Sequence, residues 1–269
     1  MTVMRLGLPC ILAAVALLGT PVSSATAQTA REIMEKVDAR DDGDNSTATL
    51  EMTLFDKRGD RRVRQVTTYT KDKGRDMQRI MFFLAPADVR GTGFLTYDYY
   101  SGEKDDDQWL YLPELRKTKR IASSDKSGSF MGTDFSYADM TRRVLDEWTY
   151  KILKEDEVRG NKVWLIEALP RDKAVRDRYG YDKSVVFVRQ DIFMGVRAVH
   201  WVHDGGQVKY LDMKRVEQID GIWMGTELDM KTTKGGETLH RTVMKFSDVR
   251  FNQPLDDELF TVRRLEKGP

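Results

Sequence analysis

Alternation of apolar and polar residues with a period of two recurs along almost the whole chain beyond residue 47. Ala48, Leu50, Met52 and Leu54 alternate with polar neighbours, which predicts a half-buried strand with one face in water. Similar segments follow one another through short turns such as residues 204–206, with no helical crossover between them. The pattern therefore predicts a mainly β protein, built on one large antiparallel sheet of about eleven or twelve strands.

A single helix is predicted before the first strand. The run from Thr29 to Glu32 has the form of a capping box, and Ile33 and Val37 then share one face at helical spacing. The helix is expected to end near residues 41–43, where a glycine can take the left-handed cap. A helix this short is not stable alone, so its apolar face must pack on another part of the protein.

The sheet has too few helices to cover one of its faces, so we expect it to curl into an incomplete barrel around a cavity. The Ser-, Gly- and aromatic-rich stretch Ser123–Met140 breaks the strand pattern. A long loop inside a compact domain is usually either functional or disordered, and the aromatic and Met residues of this one argue against disorder. We therefore expect it to fold over the sheet as a loop with a short helix. The residues predicted to line the cavity and its lid are Leu50, Met52, Leu54, Met81, Phe83, Trp109, Tyr111, Phe130, Met131, Phe135, Tyr137 and Met140.

The first 27 residues have the three parts of a secretory signal peptide. Arg5 is followed by the apolar run Leu6–Leu18 and by small residues ending at Ala27. Cleavage there would leave residues 28–269 as one exported domain, and we expect it in the periplasm. Cys10, the only cysteine, has Leu8 and Pro9 before it rather than small residues, so lipidation at Cys10 is not expected.

Charge and composition exclude several classes of function. The chain has 44 Lys and Arg against 43 Asp and Glu, and the loss of Arg5 with the leader would balance them. An overall charge near zero gives no field that would attract nucleic acid or anionic lipid. We expect a monomer that contacts membranes only transiently.

Catalytic and metal-binding motifs are sparse. His200 and His203 lie three residues apart on a predicted strand and should face opposite sides, so they cannot share a metal ion, and the third histidine is His240. Ser136 lies near Asp134 but not in a nucleophile elbow. We therefore expect no metal, no cofactor and no enzymatic activity, with a lipid esterase or phospholipase acting through Ser136 left as an alternative.

Two stretches carry a family resemblance. Asp107–Ile121 contains the pattern W-x-Y-x-P followed by a basic run, and Gly132–Asp139 contains G-T-D-F-S-Y. Together they resemble the outer-membrane lipoprotein-sorting protein family, relatives of the periplasmic carrier LolA. The resemblance covers nearly all of residues 28–269, up to the turn Asp256–Phe260.

The resemblance implies a curled, incomplete antiparallel barrel with helices at its mouth and an activity of carrying acyl chains or another hydrophobic cargo. It also implies an exporter of the RND type as a partner, and lipids fit the cargo as well as lipoproteins do. The alternative is a non-catalytic exporter subunit that holds no cargo. The basic residues expected to meet headgroups or a partner, or else to be a solvated strand edge, are Arg116, Lys117, Lys119 and Arg120.

Overall fold

The computed structural model describes residues 28–269, and the predicted signal peptide lies outside the described residues. Within them the chain forms three α-helices, α1 (Ala30–Asp38), α2 (Lys173–Tyr179) and α3 (Val262–Lys267). It also forms thirteen strands: β1 (Asn45–Phe55), β2 (Arg61–Lys73), β3 (Asp76–Ala85), β4 (Gly93–Asp98), β5 (Asp107–Leu112), β6 (Lys117–Arg120), β7 (Trp148–Val158), β8 (Asn161–Pro170), β9 (Tyr181–Arg189), β10 (Met194–Val202), β11 (Gln207–Ile219), β12 (Ile222–Lys234) and β13 (Glu237–Phe251).

All thirteen strands of this part of the chain belong to one antiparallel sheet. Its order is β6-β5-β4-β3-β2-β1-β13-β12-β11-β10-β9-β8-β7, so each strand pairs with its neighbour in sequence, and β1 also pairs with β13. The predicted antiparallel meander is confirmed. Because the first and last strands meet in the middle, the two open edges of the sheet are β6 and β7.

The sheet is rolled but not closed. Laid flat, thirteen strands would hold the two edges roughly 55 Å apart. Instead, Arg178 of α2, which follows β8, bonds Asp105 before β5 at 2.7 Å. The two halves of the sheet therefore curve toward each other, and we call the enclosed side the inner face.

The inner face carries the largest apolar cluster of the described residues. It draws side chains from β1 to β5 and from β11 to β13, with Leu50, Met52 and Met244 almost fully buried. The outer face of β3 to β5 is covered by the C-terminal segment, where Phe260 and Leu265 are buried. The rolled sheet thus has a core on each side.

Helix α1 forms as the sequence predicts. Thr29 accepts from the Glu32 amide at 3.2 Å, and Glu32 accepts from the Thr29 amide at 2.8 Å, which completes the capping box. The helix ends at Asp38, before the expected stop at residues 41–43, and Ala39 caps it without a left-handed residue. Its face packs on β8 and β9 through Ile33. At nine residues it is the longest helix between residues 28 and 269, far short of the length that a bilayer-spanning helix needs.

Replacing Ile33 tests how far the sheet depends on this helix. Ile33 is fully buried, so Ile33→Ala should lower the free energy of unfolding by about 2–4 kcal/mol through lost burial and the cavity left behind. Urea unfolding followed by tryptophan fluorescence measures the change. The matched variant Glu35→Ala, on the exposed side of the same helix, should shift it by no more than about 0.5 kcal/mol. Equal effects of the two would contradict the packing described.

Candidate ligand-binding cavity

One segment, residues 121–147, joins the two open edges of the sheet by crossing its inner face. We call it the crossover segment. It contains four single-turn 3-10 helices, Ser123–Asp125, Phe130–Gly132, Ala138–Met140 and Leu145–Glu147. These short turns replace the single short helix expected from the sequence.

Aromatic side chains of the crossover segment pack into the apolar inner face. Phe130 is fully buried, with its ring centroid 4.9 Å from that of Phe94 and 5.6 Å from that of Tyr137. Phe135 and Met140 are also buried in this cluster. The segment therefore supplies the apolar surface that covers the inner face of the sheet.

Asp134 fixes the middle of the crossover segment to β12 and β13. Its buried carboxylate accepts hydrogen bonds from Thr232 Oγ1 at 2.6 Å and from Thr242 Oγ1 at 2.7 Å, and His240 Nδ1 lies 2.5 Å away. A buried carboxylate is tolerated only when it is satisfied in this way. Asp134 is thus the anchor of the segment at the centre of the sheet.

Three side chains on β2, β3 and β5 hold the segment from the other side. Arg64 donates to the carbonyl of Met131 at 2.6 Å. Gln108 donates to that of Tyr137 at 2.8 Å. Arg79 donates to that of Met140 at 3.1 Å. All three acceptors are backbone carbonyls, so the attachment does not depend on which side chains the segment carries.

Two apolar cavities lie between the crossover segment and the inner face. The first, of about 450 Å³, is bounded by α1, the segment and β7 to β12. The second, of about 230 Å³, is bounded by β1 to β3, β12, β13 and the segment. They share the walls formed by Phe135, Asp139 and Leu228. The space is the size of a small-molecule site and is lined mainly by aliphatic and Met side chains.

The larger cavity adjoins a polar cleft of about 770 Å³ at the rim of the sheet. Asp38, Arg142, Arg143 and Leu145 line both spaces. The cleft is otherwise lined largely by charged side chains and tyrosines. A ligand with one polar and one apolar end would find both environments side by side.

A buried polar network forms part of the larger cavity's wall on β9 and β10. His200 Nδ1 lies 2.8 Å from Ser184 Oγ, and Arg143 donates to the same hydroxyl at 3.1 Å. Burial and the positive charge of Arg143 lower the pKa of His200 to about 3, so the imidazole is neutral. The ring of Tyr181 stacks on that of His200, with centroids 4.7 Å apart.

Asp139 is the carboxylate at the wall between the two cavities. It accepts from the Ser136 amide at 2.8 Å and from Tyr181 Oη at 2.7 Å. Burial works to raise its pKa, but the charge of Lys209 and these hydrogen bonds outweigh burial, and the pKa lies below the ordinary value. Asp139 is therefore ionised with its charge already compensated.

Asp98 at the end of β4 holds the C-terminal part of the crossover segment. Its carboxylate accepts from the Arg142 amide at 2.7 Å, and Arg142 Nε lies 3.6 Å away. Burial, with a smaller contribution from Asp106, raises the pKa of Asp98 to about 6. The Asp98 carboxyl group therefore changes its charge state in mildly acidic solution.

The sequence-predicted cavity residues divide into three groups. Leu50, Met81, Phe135 and Met140 do line the cavities. Those that lie in the adjoining inner-face cluster without lining a cavity are Met52, Leu54, Phe83, Phe130, Met131 and Tyr137.

Trp109 and Tyr111 lie on the other side of the sheet, and their assignment to the cavity was wrong. They pack in the outer cluster with Phe260 and Leu265, and the Trp109 ring meets Tyr97 edge-on at 5.0 Å. Alternation along β5 places Leu110, between them, in the inner cluster.

The predicted basic run lies at the open edge of the sheet. Arg116 occupies the turn before β6, with a φ of 47°, and Lys117, Lys119 and Arg120 are exposed on β6. Arg120 pairs with Asp107, and Lys119 lies 3.6 Å from Asp125. None of these four residues lines either cavity, and the run blunts an edge strand.

Ser136 lies beside Asp139 rather than beside a histidine of the described chain. Its hydroxyl accepts from the Asp139 amide at 3.1 Å, and none of the histidines between residues 28 and 269 bonds to it. His200 contacts Ser184 instead, and His203 bonds Asp182 at 2.7 Å. Over the same residues, no three His, Cys, Asp or Glu side chains gather in a way that could hold a metal ion.

Several cavity residues were missed from the sequence. Their signal was the same alternation. It runs along β12 and β13, to which the sequence analysis assigned no cavity role, and along β3, where only Met81 and Phe83 were assigned one. The missed residues that line the cavities include Arg79, Leu228, Met230, Met244 and Phe246.

The comparisons with known proteins define the family. A family model whose description is 'uncharacterized protein' matches residues 75–267. A DUF1329 family protein from Desulfovibrio piger is 31% identical, with 88% of this chain and 97% of that one covered and a TM-score of 0.79. The chain therefore belongs to the DUF1329 family. No curated protein matches it.

Two other solved structures connect this family to the predicted resemblance. An outer membrane lipoprotein-sorting protein domain from Vibrio parahaemolyticus is 31% identical, with a TM-score of 0.79 over 88% of this chain and 98% of that one. A LolA superfamily protein from Nitrosomonas europaea is 20% identical, with a TM-score of 0.65 over 88% of this chain and all of that one. The LolA-like fold predicted from the sequence is confirmed.

The raised pKa of Asp98 predicts how stability depends on pH. Because the folded-state pKa of about 6 exceeds the unfolded value, stability linked to Asp98 is present in acid and is lost as pH rises through about 6. Asp98→Asn removes this loss, so it should stabilise the protein at pH 7.5 by about 2–3 kcal/mol. Urea unfolding at pH 4.5 and 7.5 checks this, and the difference between variant and parent should be much smaller at the lower pH. Destabilisation at both pH values would contradict the assignment.

Removing the Asp134 carboxylate should loosen the crossover segment. Asp134→Ala leaves the hydroxyls of Thr232 and Thr242 without their acceptor, and should lower stability by about 2–4 kcal/mol. Limited proteolysis, read by mass spectrometry, should show new cleavage within residues 121–147. The control Asp125→Ala, which removes an exposed carboxylate of the same segment, should cleave like the parent protein. Cleavage first in another region would show that Asp134 does not anchor the segment.

Proposed function

We propose that this protein is a carrier that holds an acyl chain or another hydrophobic cargo on the inner face of its sheet. The observation that carries the proposal is the pair of apolar cavities beneath the crossover segment, of about 450 and 230 Å³. The lipoprotein-sorting domain at 31% identity supports it. A cargo-free exporter subunit predicts a filled core, and these cavities count against that alternative.

The physical basis of cargo binding is burial of hydrocarbon. Each CH₂ group that moves from water into the cavities contributes about 0.8 kcal/mol. The walls offered by Leu50, Met81, Met230 and Met244 are apolar, and Met side chains adapt to chains of different shape. A cargo of this kind needs no directional partner along its chain.

Release of the cargo requires the crossover segment to move. The part of the crossover segment nearest the cavities is held by hydrogen bonds from Gln108 and Arg79 to backbone carbonyls, worth about 0.5–3 kcal/mol each. Water can replace these two bonds once the segment lifts, whereas Phe130 deeper in the core keeps the rest of the segment in place. The lid of the carrier is then the stretch from Tyr137 to Leu145.

Location and partners extend the proposal. We place the mature protein in the periplasm, where it would move its cargo toward the outer membrane and receive it from an RND-type exporter. The support for this is the predicted signal peptide and the lipoprotein-sorting relative. A soluble carrier fits this route because a chain buried in a protein cavity can cross an aqueous compartment.

Filling the cavity tests the proposal. Leu228 lines both cavities, so Leu228→Trp should occupy the space and lower the amount of co-purified lipid at least about tenfold, since several CH₂ groups lose their site. The measurement is mass spectrometry of solvent extracts of protein purified from the periplasm without detergent. Tyr210→Trp, at an exposed position, is the control and should keep the parental lipid content. A parent protein free of lipid that also takes up no fluorescent fatty acid would refute the carrier.

A further inference from the structure

A row of polar side chains crosses the inner face of β1 to β5. Ser46, Thr70, Arg79, Thr96 and Gln108 lie directly opposite one another on β1 to β5. Residues directly opposite in a sheet share a face, so these five side chains form one line across five strands.

The neighbouring row on the same face is apolar apart from one threonine. It consists of Ala48, Thr68, Met81, Phe94 and Leu110. The polar row therefore stands at one end of an otherwise apolar wall, and Ser46, Thr70 and Arg79 line the 230 Å³ cavity at that end.

Arg79 brings a positive charge without a counter-ion to this wall. It donates to Thr70 Oγ1 at 3.3 Å and to the Met140 carbonyl at 3.1 Å, both of which are neutral. None of the ion pairs within 4.0 Å among residues 28–269 includes Arg79. The carboxylate of Asp98 is instead engaged by Arg142.

Burial lowers the pKa of Arg79, but a guanidinium group stays protonated in proteins. A desolvated cation is costly unless an anion or further acceptors reach it. The other charged group on the walls of this cavity, Asp139, is already satisfied by the Ser136 amide and Tyr181 Oη. Asp98 and Asp42 act on Arg79 only through longer-range attraction, so Arg79 is left without a paired anion on the walls of this cavity.

Two more polar atoms of the same row are unused. Thr96 Oγ1 and Gln108 Oε1 are buried and have no hydrogen-bond partner among the described residues. Thr96 lies between Arg79 and Gln108, the two side chains that bond the carbonyls of the crossover segment. When that segment lifts, a cation and a hydroxyl donor become available next to each other.

We propose that this row is a headgroup subsite: Arg79 and Thr96 bind the anionic oxygens of an amphiphile whose hydrocarbon chain lies along Leu50, Met81 and Met244. The subsite rests on the proposed carrier function and adds to it the chemical class of the cargo. A carboxylate and a phosphate monoester present the same chemistry, since either accepts paired N–H bonds from a guanidinium. The cargo is therefore a fatty acid or a phosphorylated lipid rather than a neutral one.

The test compares ligands that differ only in the head. Sodium hexadecanoate, monohexadecyl phosphate and hexadecanol compete with the neutral fluorescent probe N-phenyl-1-naphthylamine for the full mature protein at mildly alkaline pH. Either anion should displace the probe at a concentration about tenfold or more below that of the alcohol, the increment expected of charge-assisted hydrogen bonds. The anion that competes at the lower concentration shows whether the subsite prefers a carboxylate or a phosphate headgroup.

Variants assign the preference to Arg79. Arg79→Gln should raise the concentration needed for both anions to that of the alcohol and leave the alcohol unchanged, while Arg79→Lys should keep a preference for the anions. The matched control is Arg64→Gln, which also removes a bond to a carbonyl of the crossover segment but lies away from the cavity walls. It should retain the parental preference, and loss of the preference in this control would assign the effect to the segment rather than to Arg79.

The outcomes separate the two proposals. Equal competition by anions and alcohol in the parent protein would overturn the headgroup subsite and leave the carrier intact. A parent protein that binds neither the probe nor any of the three amphiphiles would overturn the carrier itself. Urea unfolding of each variant excludes misfolding as the cause, and the Arg79→Lys protein keeps the test decisive where Arg79→Gln folds poorly.

Discussion

The apolar inner face of a thirteen-stranded sheet cannot be left to water, and the crossover segment is the part of the chain that covers it. The segment joins the two edges of the sheet, so it must pass over the inner face, and it carries Phe130, Phe135 and Met140 into the apolar cluster. Burying these side chains stabilises the sheet and fixes its curvature together, because the same residues touch strands from both halves.

The crossover segment is held firmly at its centre and more weakly toward its C-terminal end. Asp134 is bonded by two hydroxyls and a histidine, whereas the later residues are held through Arg79, Gln108 and the titratable Asp98. A binding cavity needs both properties: a rigid part that keeps the walls apart and a part of low local stability that can open. The cavities lie where these two parts meet, beside Phe135 and Asp139.

The alternation of residues predicted the strands well, and its failures have a physical cause. Period two identifies which residues share a face, but it does not say which face is inside. On β1 the assignment of Leu50 to the inner face was right, because the residues that alternate with it on the other face of the strand are polar. On β5 both faces are apolar, since the C-terminal segment covers the outer one, and Trp109 and Tyr111 were assigned to the wrong side. The large aromatic side chains did not indicate which face of β5 is the inner one, because the cluster on the outer face buries such side chains as well as the inner cluster does.

The sequence by itself determined the class of fold, the capped first helix and the position of the segment that interrupts the strands, because these follow from local periodicity, capping and turn chemistry. Only the tertiary structure decided that β1 pairs with β13, that the crossover segment joins the two edges, and that Arg79 falls in one row with Thr96 and Gln108. Those features depend on strand register and on contacts between residues far apart in the chain. A one-residue change in register would place Arg79 in a different row while leaving the alternation in the sequence unchanged.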